Sequence, residues 1–428
     1  MHAADLIVTN IRELATCASQ AGGALRGAAM SDAGLLRNAA VAIVDGKFAA
    51  AAEAEEIVSK YSADKVVDAG ERAVVPGFVD PHTHIVFGGD RLDEFELKIR
   101  GADYLEILAA GGGILSTVAR TRAASEDELV DAARARLDRM LACGTTTAEI
   151  KTGYGLDLET ELKMLRVVER LDREHPIDLV PTFLPAHAVP PEFKGQAGAY
   201  VDLICREMLP AAREWYEASH FARQQTPFFV DVFTEKNAFD LDQTRTIFET
   251  ARELDFALKA HVDEFSNLGG SRLAIEYGAV SIDHLDAISD VEMEMLAASR
   301  TTGVVTPTVN FNFGSGDFAD ARRLIDAGCA VALSTDYNPG SAPCPSQPMA
   351  MAIACRYQRL LPAEALTAAT INAAHAIGLG ERLGSIEPGK RADLVILDRP
   401  DHREAAYEFG VSPAATVIKS GKIVFRKQ

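Results

Sequence analysis

Eight short apolar segments, each followed by a stretch of helical periodicity, fill the middle of this chain and leave it few folds to adopt. They fall at residues 75–82, 145–151, 178–185, 228–234, 256–262, 279–284, 303–307 and 329–335. Apolar runs of this length alternating with amphipathic helices are the pattern of βα units and a parallel sheet. Eight such units suggest a closed (β/α)₈ barrel. One of the clearer helices follows Ser125, which makes a capping box with Glu128. Its apolar stripe is Leu129, Ala132, Ala133, Leu137, Met140 and Leu141, and Gly144 ends it. Two connections are long. Residues 85–124 follow the first strand and contain the flexible Gly111-Gly112-Gly113. Residues 186–227 are expected to hold a helix around 197–222 at the rim above the barrel mouth.

The two ends read differently, as short strands and turns. Asp5–Thr9, Ala40–Val44 and Val66–Asp68 are strand-like, with a turn at Asp45-Gly46. Asp393–Leu397, Thr416–Ile418 and Ile423–Phe425 repeat that pattern at the other end. The expected architecture is therefore α/β. Residues 1–73 and 385–428 pair into a small, discontinuous β-sandwich module, and a barrel over 74–384 is inserted between them. A chain of 428 residues is long enough for both.

Charge narrows the partners. The formal net charge is −19, which argues against nucleic acid and anionic membrane surfaces, since both call for basic protein surface. A small anionic substrate stays open if one local arginine receives it. Cys17, Cys143, Cys205, Cys329, Cys344 and Cys355 are scattered, with no CxxC pair, and read as reduced thiols of a cytoplasmic protein. The first 17 residues lack the apolar core of a signal peptide, and the alanine-rich stretch near 39–54 is cut by Asp45, Lys47 and Glu53.

The chemistry gathers at the carboxyl ends of the predicted strands, where barrels of this kind carry their sites. Strand 1 ends in His82-Thr83-His84, and positions i and i+2 of an extended chain face the same way. Strand 5 ends in His261, strand 6 in His284 and strand 8 in Asp336. Four of only ten histidines thus fall at one end of one barrel. Three imidazoles and a carboxylate suit zinc or iron, which makes hydroxide available near neutral pH and polarises a carbonyl. In this reading His82, His84, His261 and Asp336 are the ligands. Asp336 also accepts the water proton, and His284 serves as an acid/base or oxyanion partner. His187, at the end of strand 3, points toward the mouth, and Glu264 lies three residues past His261. Lys236 follows strand 4, where some barrels carry a carboxylated lysine bridging two metals, but Glu235 before it and a helix start after it disfavour that role.

Pro76–His84 with His261, His284 and Asp336 resembles the amidohydrolase superfamily. So does the close of the chain, Ile371–Ala376 followed by Gly384–Leu394. Phe87–Arg91, Glu149–Leu156, Thr182–His187, His261–Glu264 and Asp336–Ser341 narrow the likeness to the imidazolonepropionase family, over nearly the whole chain. The resemblance implies hydrolysis of 4-imidazolone-5-propanoate to N-formimidoyl-L-glutamate in histidine degradation, with one Zn²⁺ or Fe²⁺/Fe³⁺ per subunit and a homodimeric assembly. It also implies that Arg91, Tyr154 and His187 hold the substrate, that Glu264 contacts the ring, and that Asn338, Gly340 and Ser341 line the strand 8 side. Ser341 stands where threonine is as common; Thr152 and Lys236 also depart from the family's usual residues. Two other readings remain: another cyclic amidase or an aromatic deaminase of the same superfamily, and a metal-bearing barrel without catalysis.

Overall fold

The computed structural model describes residues 1–19, 22–101 and 112–428. Gly111 of the triple glycine lies outside the described residues. Eight parallel strands form the barrel: Phe78–Asp80, Thr145–Lys151, Asp178–Ala186, Phe229–Thr234, Ala257–Val262, Ser281–His284, Thr302–Val305 and Val331–Leu333. They are hydrogen-bonded side by side in chain order and are called barrel strands 1 to 8 below. Every residue of strands 1, 2, 6, 7 and 8 is buried, as expected for a parallel sheet covered on both faces.

Local signals place the helices. Glu126–Ala142 begins with both halves of the capping box at Ser125 and Glu128. It buries Leu129, Val130, Ala133, Leu137, Met140 and Leu141, so Val130 joins the stripe and Ala132 stays half-buried. The expected helix around 197–222 is built in pieces: Ala197–Leu203, one wide turn over Ile204–Met208, Leu209–Ala218, and a short His220–Gln224 after Ser219.

The chain ends share a seven-stranded sheet. Its order is Lys422–Arg426, Ala414–Lys419, Leu394–Leu397, Val66–Pro76, Leu6–Ala15, Leu35–Val44 and Lys47–Glu53. A two-stranded parallel sheet, His2–Ala4 with Tyr61–Ala63, lies beside it in sequence. The stretch expected to be one strand, 75–82, is divided between the two sheets. Val75 and Pro76 pair with Val395 and Leu394 in the terminal sheet. The Gly77 amide then donates to Asp393 O, and the Phe78 amide donates to Gly144 O in the barrel. Two successive amides thus serve different sheets, and Gly77 is the step between them. Lys419 of the terminal sheet adds a second tie, with its Nζ 2.7 Å from Asp178 Oδ2 and 2.8 Å from Asp393 Oδ2. No helix among the described residues is long and apolar enough to cross a membrane.

The seam between strands 8 and 1 is made by side chains and one isolated bridge, Thr83 with Tyr337. The Gln347 side-chain amide donates to Val79 O at 2.9 Å and to Leu333 O at 3.0 Å. Ser334 Oγ lies 2.7 Å from Asp80 Oδ1 and 2.6 Å from His82 O. The Thr335 hydroxyl donates to Asp80 Oδ2 at 2.5 Å. These contacts fix the outlet of strand 1, and so the backbone of His82, against the outlet of strand 8. Gln347→Leu leaves two buried carbonyls unpaired, at a cost of about 1–3 kcal/mol each. It is expected to lower the urea midpoint of the whole barrel, and an unchanged midpoint would show that the seam closes without it.

Candidate metal centre

His82 and His84 leave strand 1 on the same side while Thr83 turns away, its hydroxyl donating to Glu149 O at 2.6 Å. Their Nε2 atoms stand 3.2 Å apart. His261 at the end of strand 5 brings its Nε2 to 3.4 Å from that of His84. Asp336 Oδ1 lies 3.4 Å from His82 Nε2 and 3.6 Å from His84 Nε2. All four side chains are buried. Ligand atoms about 2.0–2.2 Å from a tetrahedral zinc stand ~3.3–3.6 Å from one another. These four spacings are those of neighbouring ligands about one ion, and the ligand nitrogens of His82, His84 and His261 all lie within 4.8 Å of one another.

The donor set has the matching chemistry. Burial, joined by neighbouring cations and imidazoles, holds His82, His84 and His261 well below the ordinary histidine range. They are neutral and present lone pairs. Asp336 Oδ1 is buried with no hydrogen-bond donor, and burial pushes its carboxyl well above the ordinary range. A cation beside Oδ1 removes that penalty. The residues present fit one metal ion.

The outer ring nitrogens are held from behind. His82 Nδ1 is 2.7 Å from Asp283 Oδ2. His261 Nδ1 is 3.0 Å from Asp231 Oδ2 without the alignment of a hydrogen bond, and the His261 amide donates to the other oxygen, Oδ1, at 3.1 Å. Such carboxylate partners fix tautomer and orientation and raise ligand basicity. Sequence reasoning missed both. The signal was a set of charged residues at interior positions of otherwise apolar strands: Glu149 and Lys151 two apart, Asp231, Lys259 two before His261, and Asp283.

Above the ligands lies a cavity of about 280 Å³. It brings His84, His261 and Asp336 together with Arg91, Tyr154, His187, Glu264, His284, Asn338, Gly340 and Ser341. A larger hollow of about 1000 Å³, lined by Leu25, Arg26, Arg300 and His375 among others, holds none of these groups. Arg91 Nε donates to Thr117 Oγ1 at 2.8 Å, and a Cβ at Gly340 would run into its guanidinium. That glycine gives the arginine its room. Asn338 turns its polar atoms inward: its amide donates to Asp336 O and Ser341 Oγ, and its Oδ1 accepts from the Gly340 and Ser341 amides. It shapes the loop after strand 8.

Tyr154 sits on a loop wrapped around the Glu161 carboxylate, which accepts from the amides of Gly153, Gly155 and Leu156. Gly153 has φ +101°, and a Cβ there would lie 2.8 Å from His187 Nδ1. Its carbonyl is 3.0 Å from that nitrogen, so Nδ1 carries the proton and Nε2 is left as the acceptor. Burial lowers His187 to about 4.

His284 and Asp336 both adopt positive φ, +85° and +46°. Such strain in non-glycine residues gathers at functional sites. His284 Nδ1 is 3.1 Å from Thr306 Oγ1 and 3.9 Å from Glu264 Oε1. Burial lowers His284 to about 4. Burial first, then Asp336, Asp286 and Glu235, raises Glu264 well above its ordinary range. Lys236 is exposed and does not line the cavity.

The amidohydrolase family profile matches residues 236–424. An imidazolonepropionase of Chloroflexus aggregans is 53% identical over 424 residues, covering 99% of each chain. One of Herpetosiphon aurantiacus is 50% identical, covering 100% of this chain and 99% of its own. Among solved structures, an adenosine deaminase from Xanthomonas campestris with bound zinc superimposes with a TM-score of 0.70 at 19% identity, covering 99% of this chain and 94% of that one. A mutant atrazine chlorohydrolase from Arthrobacter aurescens complexed with zinc and atraton gives 0.72 at 16%, covering 98% and 95%. These two share the fold.

One metal ion per chain is the expected content, read by elemental analysis of purified protein. His261→Ala is expected to drop it below about 0.2 per chain, and retention of a full equivalent would remove His261 from the ligand set.

Proposed function

The chain belongs to the imidazolonepropionase family, and from that membership we propose that it opens the ring of 4-imidazolone-5-propanoate to give N-formimidoyl-L-glutamate in histidine degradation. The observation that supports this reading most directly is that one cavity joins the histidine–aspartate cage to a single buried-stem arginine, Arg91. A small substrate with a reactive cyclic amide at one end and a carboxylate at the other spans such a cavity. His82, His84, His261 and Asp336 would hold one divalent ion. Zinc is the first to test, because the two solved neighbours are described with it, and iron suits the same ligands. When bound, the metal supplies Lewis-acid polarisation of the ring carbonyl and a water ionisable near neutral pH.

The chain's own residues do the rest. Arg91 pairs with the propanoate carboxylate, where a planar guanidinium can bind both oxygens. The buried Tyr154 phenol, held protonated above its ordinary range by burial, is a donor at the same wall. His187 turns its unprotonated Nε2 to the cavity and can accept from a ring N–H. Asp336 takes a proton from the water as its oxygen bonds to the ring carbonyl carbon. The carbon–nitrogen bond then breaks, and the leaving nitrogen needs a proton. Glu264 and His284 face each other with their affinities for protons pushed apart, the carboxyl up and the imidazole down. The proton carrier is therefore Glu264. His284, neutral and tied to Thr306, is the partner that steadies it.

Loss of 4-imidazolone-5-propanoate absorbance on adding metal-loaded protein, abolished by a chelator, tests the reading. Ammonia release from nucleobases without ring opening would point instead to a deaminase. Arg91→Ala is expected to raise KM about 10–100-fold, since a hydrogen bond to a charged group is worth about 1.5–3 kcal/mol, and to change kcat less. An unchanged KM would refute the carboxylate assignment. Glu264→Gln is expected to lower kcat about 10²–10⁴-fold. An acid that must carry its proton fails as pH rises through its pKa, so the wild-type alkaline limb should vanish in this variant; a variant that keeps it would move the proton elsewhere.

A further inference from the structure

Beneath the metal ligands, where barrel interiors are normally packed with branched apolar side chains, five ionisable groups are wholly buried: Glu149, Lys151, Asp231, Lys259 and Asp283. Burying charge is costly unless each ion is paired and saturated with hydrogen bonds. Here the pairing is close to complete. Lys151 Nζ lies 2.8 Å from Glu149 Oε1, 2.7 Å from Asp231 Oδ2 and 3.3 Å from Asp283 Oδ2. Two of the three donors of this ammonium go to Glu149 and Asp231 as hydrogen bonds, and Asp283 is held by charge alone. Lys259 Nζ lies 2.6 Å from Glu149 Oε2 and 2.9 Å from Pro81 O, and 3.8 Å from Asp283 Oδ2.

We propose that Lys151 is a positioning residue for the metal centre: its ammonium clamps Asp231 and Asp283 together, and these carboxylates hold the rings of His261 and His82. The same Asp283 oxygen faces both Lys151 and His82 Nδ1, and the same Asp231 oxygen faces both Lys151 and His261 Nδ1. Two ligands from opposite walls of the barrel are thus referred to one nitrogen atom. Burial opposes the lysine's charge, but Asp231, Glu149 and Asp283 outweigh it and keep the ammonium protonated.

The charge inventory suits a divalent ion above the cluster. Glu149, Asp231 and Asp283 outnumber Lys151 and Lys259 by one, and Asp336 adds a second unbalanced negative charge. Asp80 stands outside this set, with its oxygens taken by Ser334 and Thr335. Two surplus charges beside neutral imidazoles are what one divalent cation balances.

This inference rests on the metal-centre reading and not on the substrate. The test is the zinc dissociation constant of the full chain, measured by competition with a chromophoric chelator, with the visible spectrum of the cobalt(II)-loaded protein alongside. Lys151→Met is expected to weaken zinc binding about 10–100-fold, the usual effect of losing an outer-shell partner, and to shift the cobalt bands. Lys259→Met, whose nitrogen makes no contact with Asp231, is expected to change the constant less than about threefold. If Lys151→Met does not fold, Lys151→Met with Glu149→Gln keeps the buried charge constant and is expected to show the same weakening. Wild-type affinity and an unchanged cobalt spectrum in a folded Lys151 variant overturn the proposal, as does an equal loss in Lys259→Met. If the variants behave as expected while the wild type leaves 4-imidazolone-5-propanoate untouched, the substrate reading falls and this one stands. A wild-type chain that binds no zinc overturns both.

Discussion

Three imidazole nitrogens and one carboxylate oxygen, each 3.2–3.6 Å from at least one of the others and with little to offer one another, are the constraint around which the molecule is built. Neutral imidazole lone pairs that converge gain no hydrogen bond from convergence, and a buried carboxylate oxygen without a donor costs free energy. Nothing local draws these groups together. What sets them there is the barrel, whose strands end at one rim and whose seam fixes strand 1 against strand 8. Asp80, Ser334, Thr335 and Gln347 supply that seam with side chains. Positive φ at His284 and Asp336 is strain of the same origin. The fold spends stability at the rim and recovers it in the apolar packing of the helices around the strands.

How much of this can be read from sequence depends on whether the signal is periodic. The strands, the capped helix after Ser125 and the i, i+2 pair His82 and His84 all follow from spacing, because strand and helix geometry map spacing directly onto direction. The division of 75–82 between two sheets does not. It depends on which carbonyls, Asp393 O and Gly144 O, meet two successive amides, and those partners come from distant parts of the chain. The loop roles of Asn338 and Glu161 are hidden for the same reason. Each side chain is spent on backbone amides that only the folded loop brings near. Lys151 and Glu149 were visible as letters, yet their alternation with apolar residues looks like an ordinary half-exposed strand until the barrel closes over them.

In the proposed reading a protein of net charge −19 receives an anion and needs a local exception to its own field, which the far wall of the cavity would provide. Arg91 and Lys98 flank Glu94, with Arg91 Nη1 3.8 Å and Lys98 Nζ 2.8 Å from its Oε1. The other Glu94 oxygen accepts from the Gly113 amide at 2.7 Å. Two cations against one carboxylate leave a single positive charge, mostly shielded from water, and one more carboxylate neutralises it. Because Glu94 already holds both side chains in place, little conformational entropy is lost when that carboxylate arrives. A ligand of the same ring but without the acid would leave the corner charged and gain little from entering it. Discrimination by charge at this wall and reactivity at the histidine cage are thus separate properties, joined only by the length of the cavity between them.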